Sequence, residues 1–338
     1  MINKSIVFTQ KNKAEILESE TDMLGRDDVL LKLEFSTISN GTERANITGE
    51  VNVSLIDKNT EAKFPRFGGY SSAGVVVAIG EGVTKVKVGD RVAAFWTNHK
   101  QYCKLNQNSV CLLPEAVSTQ SAAIAHIAAF PMAAIRKCKV EMGESAIVMG
   151  LGPLGLIAVQ LLRAAGACPV IAADPIKEKR DLAISLGADV ALDPFAPDFA
   201  EKAKALTAKG VNVAIEVTGN GQALDSVLDC MAQFGRVALL GCTRNSDFTI
   251  DYYHKVHGPG ISLIGAHTNA RAKNESAPGN WTTKDDMDAI IRLENGGRIR
   301  LENIVSEVHS PAEASEVYNR LINERGFPVV QFDWRNFI

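Results

Sequence analysis

The stretch from Ser145 to Leu162, SAIVMGLGPLGLIAVQLL, decides the fold. It begins with a short apolar run typical of a buried strand and continues as an apolar segment with helical periodicity. Between the two, Gly150, Gly152 and Gly155 stand in GxGxxG spacing. Glycines at these positions permit a tight turn, close approach of the backbone to a diphosphate, and close packing of the helix on the strand. The stretch therefore predicts a strand, a turn and a helix that together bind a dinucleotide.

The residues after this turn extend the prediction to a particular cofactor. Pro153 and Leu154 begin the helix, so their backbone belongs to the expected pyrophosphate site. The next strand ends at Asp174, where such a unit places the acid that binds ribose hydroxyls and repels a 2′-phosphate, which predicts NAD over NADP. Lys177 and Arg180 count against this preference, since either would reach a 2′-phosphate if Asp174 turned away. The alternative for the glycines is an ordinary turn without a ligand.

The rest of the chain divides into two patterns. From Ser145 to Gly265, apolar runs of strand length alternate with helical segments, which predicts a doubly wound parallel sheet and an α/β fold class. From Ile6 to about Leu113 the runs are short, β-like and broken by Gly, Asn or Asp, which predicts a mostly-β domain. A helical segment from Ser118 to Lys137 links the two patterns. Residues 48–67 lack clear periodicity and are expected to form a surface excursion.

The tail after Gly265 has a different pattern. It contains two amphipathic helical segments, Lys284 to Glu294 and Pro311 to Asn323, and ends in the strand-like FPVVQFDW. We expect this tail to return to the first domain, so that one domain is inserted into the other. The predicted domains are residues 1–118 with 266–338, and residues 119–265.

Composition excludes several classes of protein. The 338 residues carry a formal net charge of -3, with 46% hydrophobic and 22% charged residues, which fits a globular protein of about two domains. We see no basic cluster for nucleic acid and no run long enough to cross a bilayer, and the N-terminus lacks a signal core, so a cytoplasmic location is expected. The six cysteines show no CxxC pair and are expected to be buried thiols rather than zinc ligands or disulfides.

Taken together, the motifs resemble the medium-chain dehydrogenase/reductase superfamily, the zinc alcohol dehydrogenase group, over nearly the whole chain. They are GVVVAIGEGVTKVKVGDRVAAF, LGPLG, ADP, EVTG and GRVALLG, in this order. The segments STISNGTE and GGYSSAG are most similar to the branch named for 2-desacetyl-2-hydroxyethyl bacteriochlorophyllide dehydrogenase. The resemblance implies a GroES-like mostly-β catalytic domain beside a Rossmann domain, and places Glu216 and Thr218 near the nicotinamide half of the cofactor.

The resemblance also shows where this chain departs from zinc members. The positions of the three catalytic zinc ligands fall on Asn40, Tyr70 and His126. An amide, a phenol and one imidazole form a poor set for divalent zinc. The four-cysteine lobe of zinc members is reduced to Cys103. We therefore expect no metal; a weak site on His126 with Glu43 or water is the alternative.

Without zinc, a hydroxyl or an imidazole must handle the proton of the substrate oxygen. The resemblance makes Tyr70 and His126 the candidate proton-transfer residues, Thr42 a relay hydroxyl and Asn40 a residue that orients substrate. Glu43 is expected to accept hydrogen bonds behind them. The plainer alternatives are a pocket wall for Tyr70 and a structural histidine for His126, while Ser71 and Ser72 are expected to bond to backbone.

These expectations combine into one functional hypothesis: a zinc-independent, NAD-dependent dehydrogenase of a secondary alcohol or its ketone. Arg271, Lys273, Asn274, Glu275 and Trp281 follow the last sheet strand and suggest a polar substrate such as a sugar, polyol or sugar acid. The alternatives are an enone or quinone reductase that uses NAD(P)H, and a protein that binds NAD without turnover. A homodimer or homotetramer, paired through the strand GISLIG, is expected from the resemblance.

Overall fold

The computed structural model describes residues 1–50, 62–244 and 246–337, and within them the elements follow the two expected patterns. The strands are β1 (Ile2–Gln10), β2 (Lys13–Glu20), β3 (Asp28–Thr37), β4 (Arg66–Phe67), β5 (Ser71–Ile79), β6 (Arg91–Phe95), β7 (Tyr102–Asn106), β8 (Val110–Leu112), β9 (Ala146–Met149), β10 (Val170–Ala173), β11 (Val190–Leu192), β12 (Val211–Glu216), β13 (Met231–Leu239), β14 (Ser262–Gly265), β15 (Glu307–His309) and β16 (Val330–Asp333). Most of the expected surface excursion, residues 51–61, lies outside the described residues.

The helices connect these strands. They are α1 (Asn40–Thr48), α2 (Thr119–Ala122), α3 (Ala125–Lys137), α4 (Pro153–Ala164), α5 (Lys177–Ser185), α6 (Phe199–Ala205), α7 (Gly221–Leu228), α8 (Thr283–Asn295) and α9 (Ala314–Asn323). Short 3₁₀ turns occur at Gln107–Ser109, Leu301–Ile304 and Pro311–Glu313, and a π turn at Tyr253–His257. The helix predicted from Ser118 to Lys137 is two helices, α2 and α3, with the Ser118 side chain capping the first.

The chain forms two compact units. The first comprises Met1–Ile127, Met287–Gly297 and Leu301–Ile338, and the second comprises Ala128–Asp286 and Arg298–Arg300. The predicted domain boundaries after residues 118 and 265 stay a prediction, because compactness alone does not define a domain.

The first unit is mostly β, as expected. Its larger sheet has the strand order β15-β16-β3-β5-β6-β8, with β7 also paired to β3, and its smaller sheet has the order β2-β1-β4. Buried aromatic side chains fill the core, among them Phe8, Tyr318, Phe332 and Trp334. Within this sheet β3 pairs with β5 in antiparallel register, so that Ser36 lies opposite Ser72. This pairing brings the end of β3 beside the residues that precede β5.

The second unit is built on a six-stranded parallel sheet with the order β11-β10-β9-β12-β13-β14. In order of appearance this is 3-2-1-4-5-6, the arrangement of the Rossmann fold. The strands β9 and β10 are buried along their whole length, as apolar runs in a doubly covered sheet should be. The order reverses between β9 and β12, and the turns that follow these two strands meet at the point where such sheets bind ligands. The α/β fold class predicted from the sequence is thereby confirmed.

One boundary in this unit was predicted wrongly. Among the helical segments between Ser145 and Gly265, the pattern QALDSVLDCMAQF predicts a helix to Phe234. In the structure α7 ends at Leu228 and β13 already begins at Met231. Met231 and Ala232 are buried in the sheet, and an apolar run of this length fits a strand as well as a helix.

Candidate active site

Tyr70 lies at the entrance to β5, in the first unit. The preceding Gly69 has a φ of 83°, and a Cβ there would lie 2.7 Å from His99, so the backbone can enter the strand this way only with glycine. The Tyr70 phenol donates a hydrogen bond of 2.5 Å to the Ser39 hydroxyl, just before α1. Trp96 packs beside the phenol, with ring centroids 5.7 Å apart. The phenol is half-buried, with an aromatic neighbour and a hydroxyl partner.

His126 lies at the start of α3 and is completely buried. Its Nδ1 is 2.8 Å from the Tyr70 carbonyl oxygen, and because a carbonyl only accepts, Nδ1 must carry the hydrogen. The imidazole meets the Tyr70 ring edge-on at 5.3 Å and the Trp96 ring at 4.8 Å. The structure thus brings Tyr70 and His126 together, with a hydrogen bond that fixes both the imidazole orientation and the Tyr70 backbone.

Asn40 and Thr42 lie on the first turn of α1. The Asn40 Nδ2 donates to the carbonyls of Phe327 and Pro328, at 3.0 and 3.1 Å, so this amide ties α1 to the segment before β16. Its Oδ1 is buried and has no hydrogen-bond partner within the described residues. Thr42 is half-buried. The orienting role of Asn40 and the relay role of Thr42 stay predictions.

A buried polar network lies behind Ser39. The Glu43 carboxylate accepts hydrogen bonds from the Ser39 backbone N–H at 2.8 Å and from the Tyr318 hydroxyl. His99 Nε2 lies 3.0 Å from the same carboxylate, and His99 Nδ1 lies 2.7 Å from the Ser36 hydroxyl. Glu43 was expected to accept hydrogen bonds here. Sequence reasoning missed Ser39 altogether and assigned nothing to His99.

The hydroxyls of the two serines after Tyr70 bond to partners other than the phenol. The Ser71 hydroxyl donates to the Ala123 carbonyl at 2.7 Å, as a strand-end serine was expected to do. The Ser72 hydroxyl pairs instead with the Thr97 hydroxyl at 2.5 Å, so for Ser72 the expected backbone partner was wrong.

The residues at the expected zinc positions do not fit zinc. The Tyr70 phenol is hydrogen-bonded to Ser39, Asn40 offers one amide oxygen, and the His126 imidazole is the one usual zinc ligand of the three. Within the described parts of the chain, no cluster of three or more His, Cys, Asp or Glu side chains is arranged to hold a metal ion. Cys103 is buried, and burial raises the pKa of its thiol to about 11.

All six cysteines are free thiols, but they are not all buried as expected. Cys103, Cys111, Cys138 and Cys230 are buried, whereas Cys168 and Cys242 are exposed.

The glycine turn of the second unit is shaped for a ligand. Gly150 has a φ of 96°, and a Cβ at Gly155 would lie 1.9 Å from the Gly150 carbonyl oxygen. The backbone therefore requires glycine at both positions. Gly152 differs from them: a Cβ there would meet no described atom within 4 Å. Pro153 follows as the first residue of α4, and Leu154 is half-buried beside it. The open space at Gly152, in front of a helix N-terminus, fits the pyrophosphate of a dinucleotide.

Asp174 lies beside this turn, at the end of β10. One carboxylate oxygen accepts from the Leu151 N–H and the other from the Ile176 N–H, both at 2.9 Å. Each oxygen keeps a further lone pair with which to accept from a ribose hydroxyl. The Arg180 guanidinium donates to the Asp174 carbonyl at 2.7 Å, and Lys177 pairs with Asp181 at 2.6 Å.

Thr218 faces the same turn from the end of β12. Its Cγ2 would lie 2.7 Å from a Cβ at Gly150, and its backbone N–H donates to Glu216 at 2.7 Å. Burial raises the pKa of Glu216, and the hydrogen bonds from Thr218 and Gly219 oppose that rise. Thr218 lies at the point of the sheet where the strand order reverses.

The segment after β14 exposes only part of the polar side chains that were expected to meet a substrate. The Arg271 side chain is only 6% exposed, donates to the Ala129 carbonyl at 2.8 Å, and lies 3.6 Å from Asp286. Arg136 also pairs with Asp286, at 2.8 Å, and stacks on Trp281 at 3.4 Å. Burial lowers the pKa of Arg271, against the effect of Asp286. Arg271 is thus engaged in a buried ion-pair cluster, with little of its side chain exposed, and Trp281 stacks on Arg136 at the edge of this cluster. Lys273, Asn274 and Glu275 are exposed, and contact of this segment with substrate stays a prediction.

Comparison with protein families supports the fold in both units. Residues 25–139 match the model described as alcohol dehydrogenase GroES-like domain, and residues 153–278 match the model described as zinc-binding dehydrogenase.

Within the described residues, no helix combines the length and the apolar character needed to cross a membrane.

Two curated relatives align over most of the chain. D-guloside 3-dehydrogenase of Escherichia coli K12 is 27% identical over 95% of this chain and 96% of its own length. L-threonine 3-dehydrogenase of Thermococcus kodakarensis is 30% identical over 87% of each chain. A solved structure, the short chain alcohol dehydrogenase of Escherichia coli CFT073 in complex with NADH, has a TM-score of 0.82 at 19% identity and covers 98% of this chain and 99% of its own. The chain belongs to the medium-chain dehydrogenase/reductase superfamily, in its zinc-type alcohol dehydrogenase-like group, and is an oxidoreductase that acts on CH–OH groups.

Proposed function

We propose that this protein is a zinc-independent, NAD-dependent dehydrogenase that oxidises a secondary alcohol of a sugar, polyol or sugar acid, or reduces the matching ketone. The observation that carries the proposal is the set of side chains at the expected metal positions: a phenol hydrogen-bonded to Ser39, an amide and a single imidazole, with no thiolate among them. At such a site a protein hydroxyl, rather than a metal ion acting as a Lewis acid, handles the proton of the substrate oxygen.

The proposed mechanism assigns the proton to Tyr70. In the direction of reduction, the phenol donates a hydrogen bond to the substrate carbonyl and then gives its proton to the oxygen as hydride arrives at carbon; oxidation runs the same transfer backwards. A nicotinamide, when bound, supplies or accepts the hydride. His126 holds the Tyr70 carbonyl and packs edge-on against its ring, which keeps the phenol in one position. Asn40 is the proposed residue that orients the substrate, and Thr42 is the proposed relay hydroxyl.

The preference for NAD rests on the charges around Asp174. A 2′-phosphate would meet the buried carboxylate of Asp174. The two cations that would compensate are engaged: Arg180 with the Asp174 carbonyl and with Asp193 at 3.8 Å, and Lys177 with Asp181. The ribose hydroxyls of NAD, in contrast, are donors that match the remaining lone pairs of the carboxylate. Gly150, Gly152, Pro153, Leu154, Gly155, Asp174 and Thr218 are the proposed cofactor-binding residues.

The substrate class follows from relatives whose names describe dehydrogenation of a polar molecule, D-guloside 3-dehydrogenase and L-threonine 3-dehydrogenase. We also propose a cytoplasmic homodimer or homotetramer. Its contact would be the exposed strand β14, which ends the sheet of the second unit and has one free edge within the described residues.

The test is a substrate panel of sugars, polyols and sugar acids with NAD and with NADP, followed by nicotinamide absorbance. The proposal expects a higher kcat/KM with NAD and loss of most turnover in Tyr70→Phe, with NAD affinity retained. General acid–base residues contribute about 10²–10⁴-fold in rate, so a loss of that size is expected. Turnover in Tyr70→Phe equal to that of the unmodified protein would remove Tyr70 from the mechanism. NAD binding without turnover on the whole panel would favour a non-catalytic role.

A further inference from the structure

The hydrogen bond between Tyr70 and Ser39 joins a half-buried phenol to a buried polar network. At 2.5 Å the two hydroxyl oxygens are at the short end of the range for O–H···O bonds. Ser39 precedes α1, and its side chain makes no capping bond to that helix. The hydroxyl of Ser39 is therefore available to Tyr70, whereas serines at helix starts usually serve the helix backbone.

The Ser39 backbone is held by Glu43. The carboxylate is almost completely buried, and its Oε1 accepts the Ser39 N–H at 2.8 Å. Its Oε2 accepts from the Tyr318 hydroxyl and lies 3.0 Å from His99 Nε2. Burial and the nearby carboxylate raise the pKa of Tyr318, so its hydroxyl stays a donor. The Tyr318 hydroxyl and His99, from two separate elements, thus hold the carboxylate, and the carboxylate in turn holds the Ser39 backbone.

For a neutral imidazole at His99, the hydrogens in this network have one consistent arrangement. The Trp334 indole N–H can only donate, and it donates to the Ser36 hydroxyl at 2.8 Å. Ser36 then has its own hydrogen to give to His99 Nδ1, 2.7 Å away. This leaves the His99 hydrogen on Nε2, directed at Glu43. Every group in this hydrogen-bond network has a partner, so the network is a rigid support for Ser39.

We propose that Ser39 is a positioning residue. Its hydroxyl keeps a hydrogen bond to the Tyr70 oxygen in both protonation states that the phenol adopts during catalysis. This inference rests on the proposed function of Tyr70. Without substrate the neutral phenol donates to Ser39. When the phenol donates to the substrate carbonyl instead, the Ser39 O–H turns and donates to the phenol oxygen, and it keeps this bond once the proton has moved to the substrate oxygen. The proton that leaves Tyr70 ends on the substrate oxygen, and no bond to Ser39 is made or broken. Hydrogen bonds to ionised groups are stronger than those between neutral groups, so Ser39 favours the phenolate.

Other groups near Tyr70 are also relevant to its ionisation. His126 packs against the ring from α3, and Glu43 lies beyond Ser39 on α1 with His99 behind it. The remaining cation of α1, Arg44, is directed away and donates to the carbonyls of Leu321 and Glu324. Substitution of Ser39 alone leaves these groups in place.

The test measures the ionisation of Tyr70 in the protein without cofactor. The protein is labelled with difluorotyrosine, which ionises at lower pH than tyrosine, and the fluorine NMR signal of residue 70 is assigned by its absence from Tyr70→Phe. Ser39→Ala is expected to move the midpoint of the Tyr70 titration to higher pH by about one pH unit, the difference between a charged and a neutral hydrogen bond. Ser39→Thr keeps the hydroxyl and is expected to titrate like the unmodified protein.

Ser71→Ala is the matched control, because the Ser71 hydroxyl is buried one residue from Tyr70 but bonds to the Ala123 carbonyl. It is expected to leave the midpoint unchanged. If Ser39→Ala does not fold, Ser39→Cys substitutes a weaker donor and is expected to shift the midpoint in the same direction. An unchanged midpoint in the folded Ser39 variant overturns the inference. A shifted midpoint in a protein whose Tyr70→Phe variant turns over normally keeps the inference about Ser39 and overturns the proposed function.

Discussion

The glycine turn after β9 allows two similar substitutions that are expected to affect different properties, the stability of the protein and its affinity for NAD. Gly150→Ala adds a methyl group to a residue with a φ of 96°, where it would lie 2.7 Å from Thr218 Cγ2. Thr218 cannot rotate away freely, because its hydroxyl donates to Glu216. Gly152→Ala adds the same methyl at a φ of -74°, with no described atom within 4 Å.

The expected magnitudes follow from these geometries. A non-glycine residue in this backbone region costs about 1–3 kcal/mol and overpacking costs about 1–3 kcal/mol, so Gly150→Ala should lower the free energy of unfolding by about 2–6 kcal/mol. Gly152→Ala should change it by less than about 1 kcal/mol, since only a helix N-cap preference is affected. Its methyl group, however, would occupy the space proposed for the pyrophosphate. We expect its NAD affinity to fall at least about tenfold, or about 1.4 kcal/mol.

Urea unfolding followed by circular dichroism gives the first quantity without cofactor, and isothermal titration calorimetry with NAD gives the second. The reasoning is refuted if Gly152→Ala binds NAD as tightly as the unmodified protein, because the turn would then not hold a diphosphate. It is refuted as well if Gly150→Ala is as stable as the unmodified protein, because the left-handed turn would then impose no requirement for glycine.

Two further predictions concern the first unit. Glu43→Gln and Tyr318→Phe each disrupt the same buried hydrogen bond, so the double variant should be more stable than the sum of the single losses predicts, by about 1.5–3 kcal/mol in urea unfolding; additive losses would contradict the network. Arg320, with His309, lowers the pKa of Glu307 from 4.5 to about 2. The folded-state pKa is below the unfolded value, so the stabilisation is complete above about pH 4.5 and is lost as pH falls towards 2. Glu307→Gln should flatten that pH dependence of the urea midpoint, and an unaltered slope would show that the ion pair contributes nothing.

Much of the second unit could be predicted from the sequence because its determinants are local. The strand, turn and helix around Gly150 follow from apolar periodicity and glycine spacing, and Asp174 follows from the length of the next strand. The boundary between α7 and β13 could not be placed, because the apolar run at Met231 satisfies either periodicity. The burial of Arg271 could not be predicted for another reason: its partner Asp286 lies on α8, and nothing in the local pattern shows that the two charges are buried together.

The site in the first unit shows the limit of local patterns more sharply. Resemblance singled out Tyr70 and His126, and the pairing of their elements brings the two side chains together. Ser39 could not be found this way, because it precedes α1 as an ordinary serine and reaches Tyr70 only through the antiparallel pairing of β3 with β5. His99 is likewise buried by contacts that its own loop sequence does not reveal.

The central claim is that the position of the family's zinc now handles a proton through Tyr70. The most direct measurement is the metal content of the active protein purified without added metal, together with its turnover after exhaustive treatment with a chelator and return to metal-free buffer. The account predicts far less than one zinc per chain and unchanged turnover. One zinc per chain, with turnover lost on chelation and restored by zinc, would contradict it.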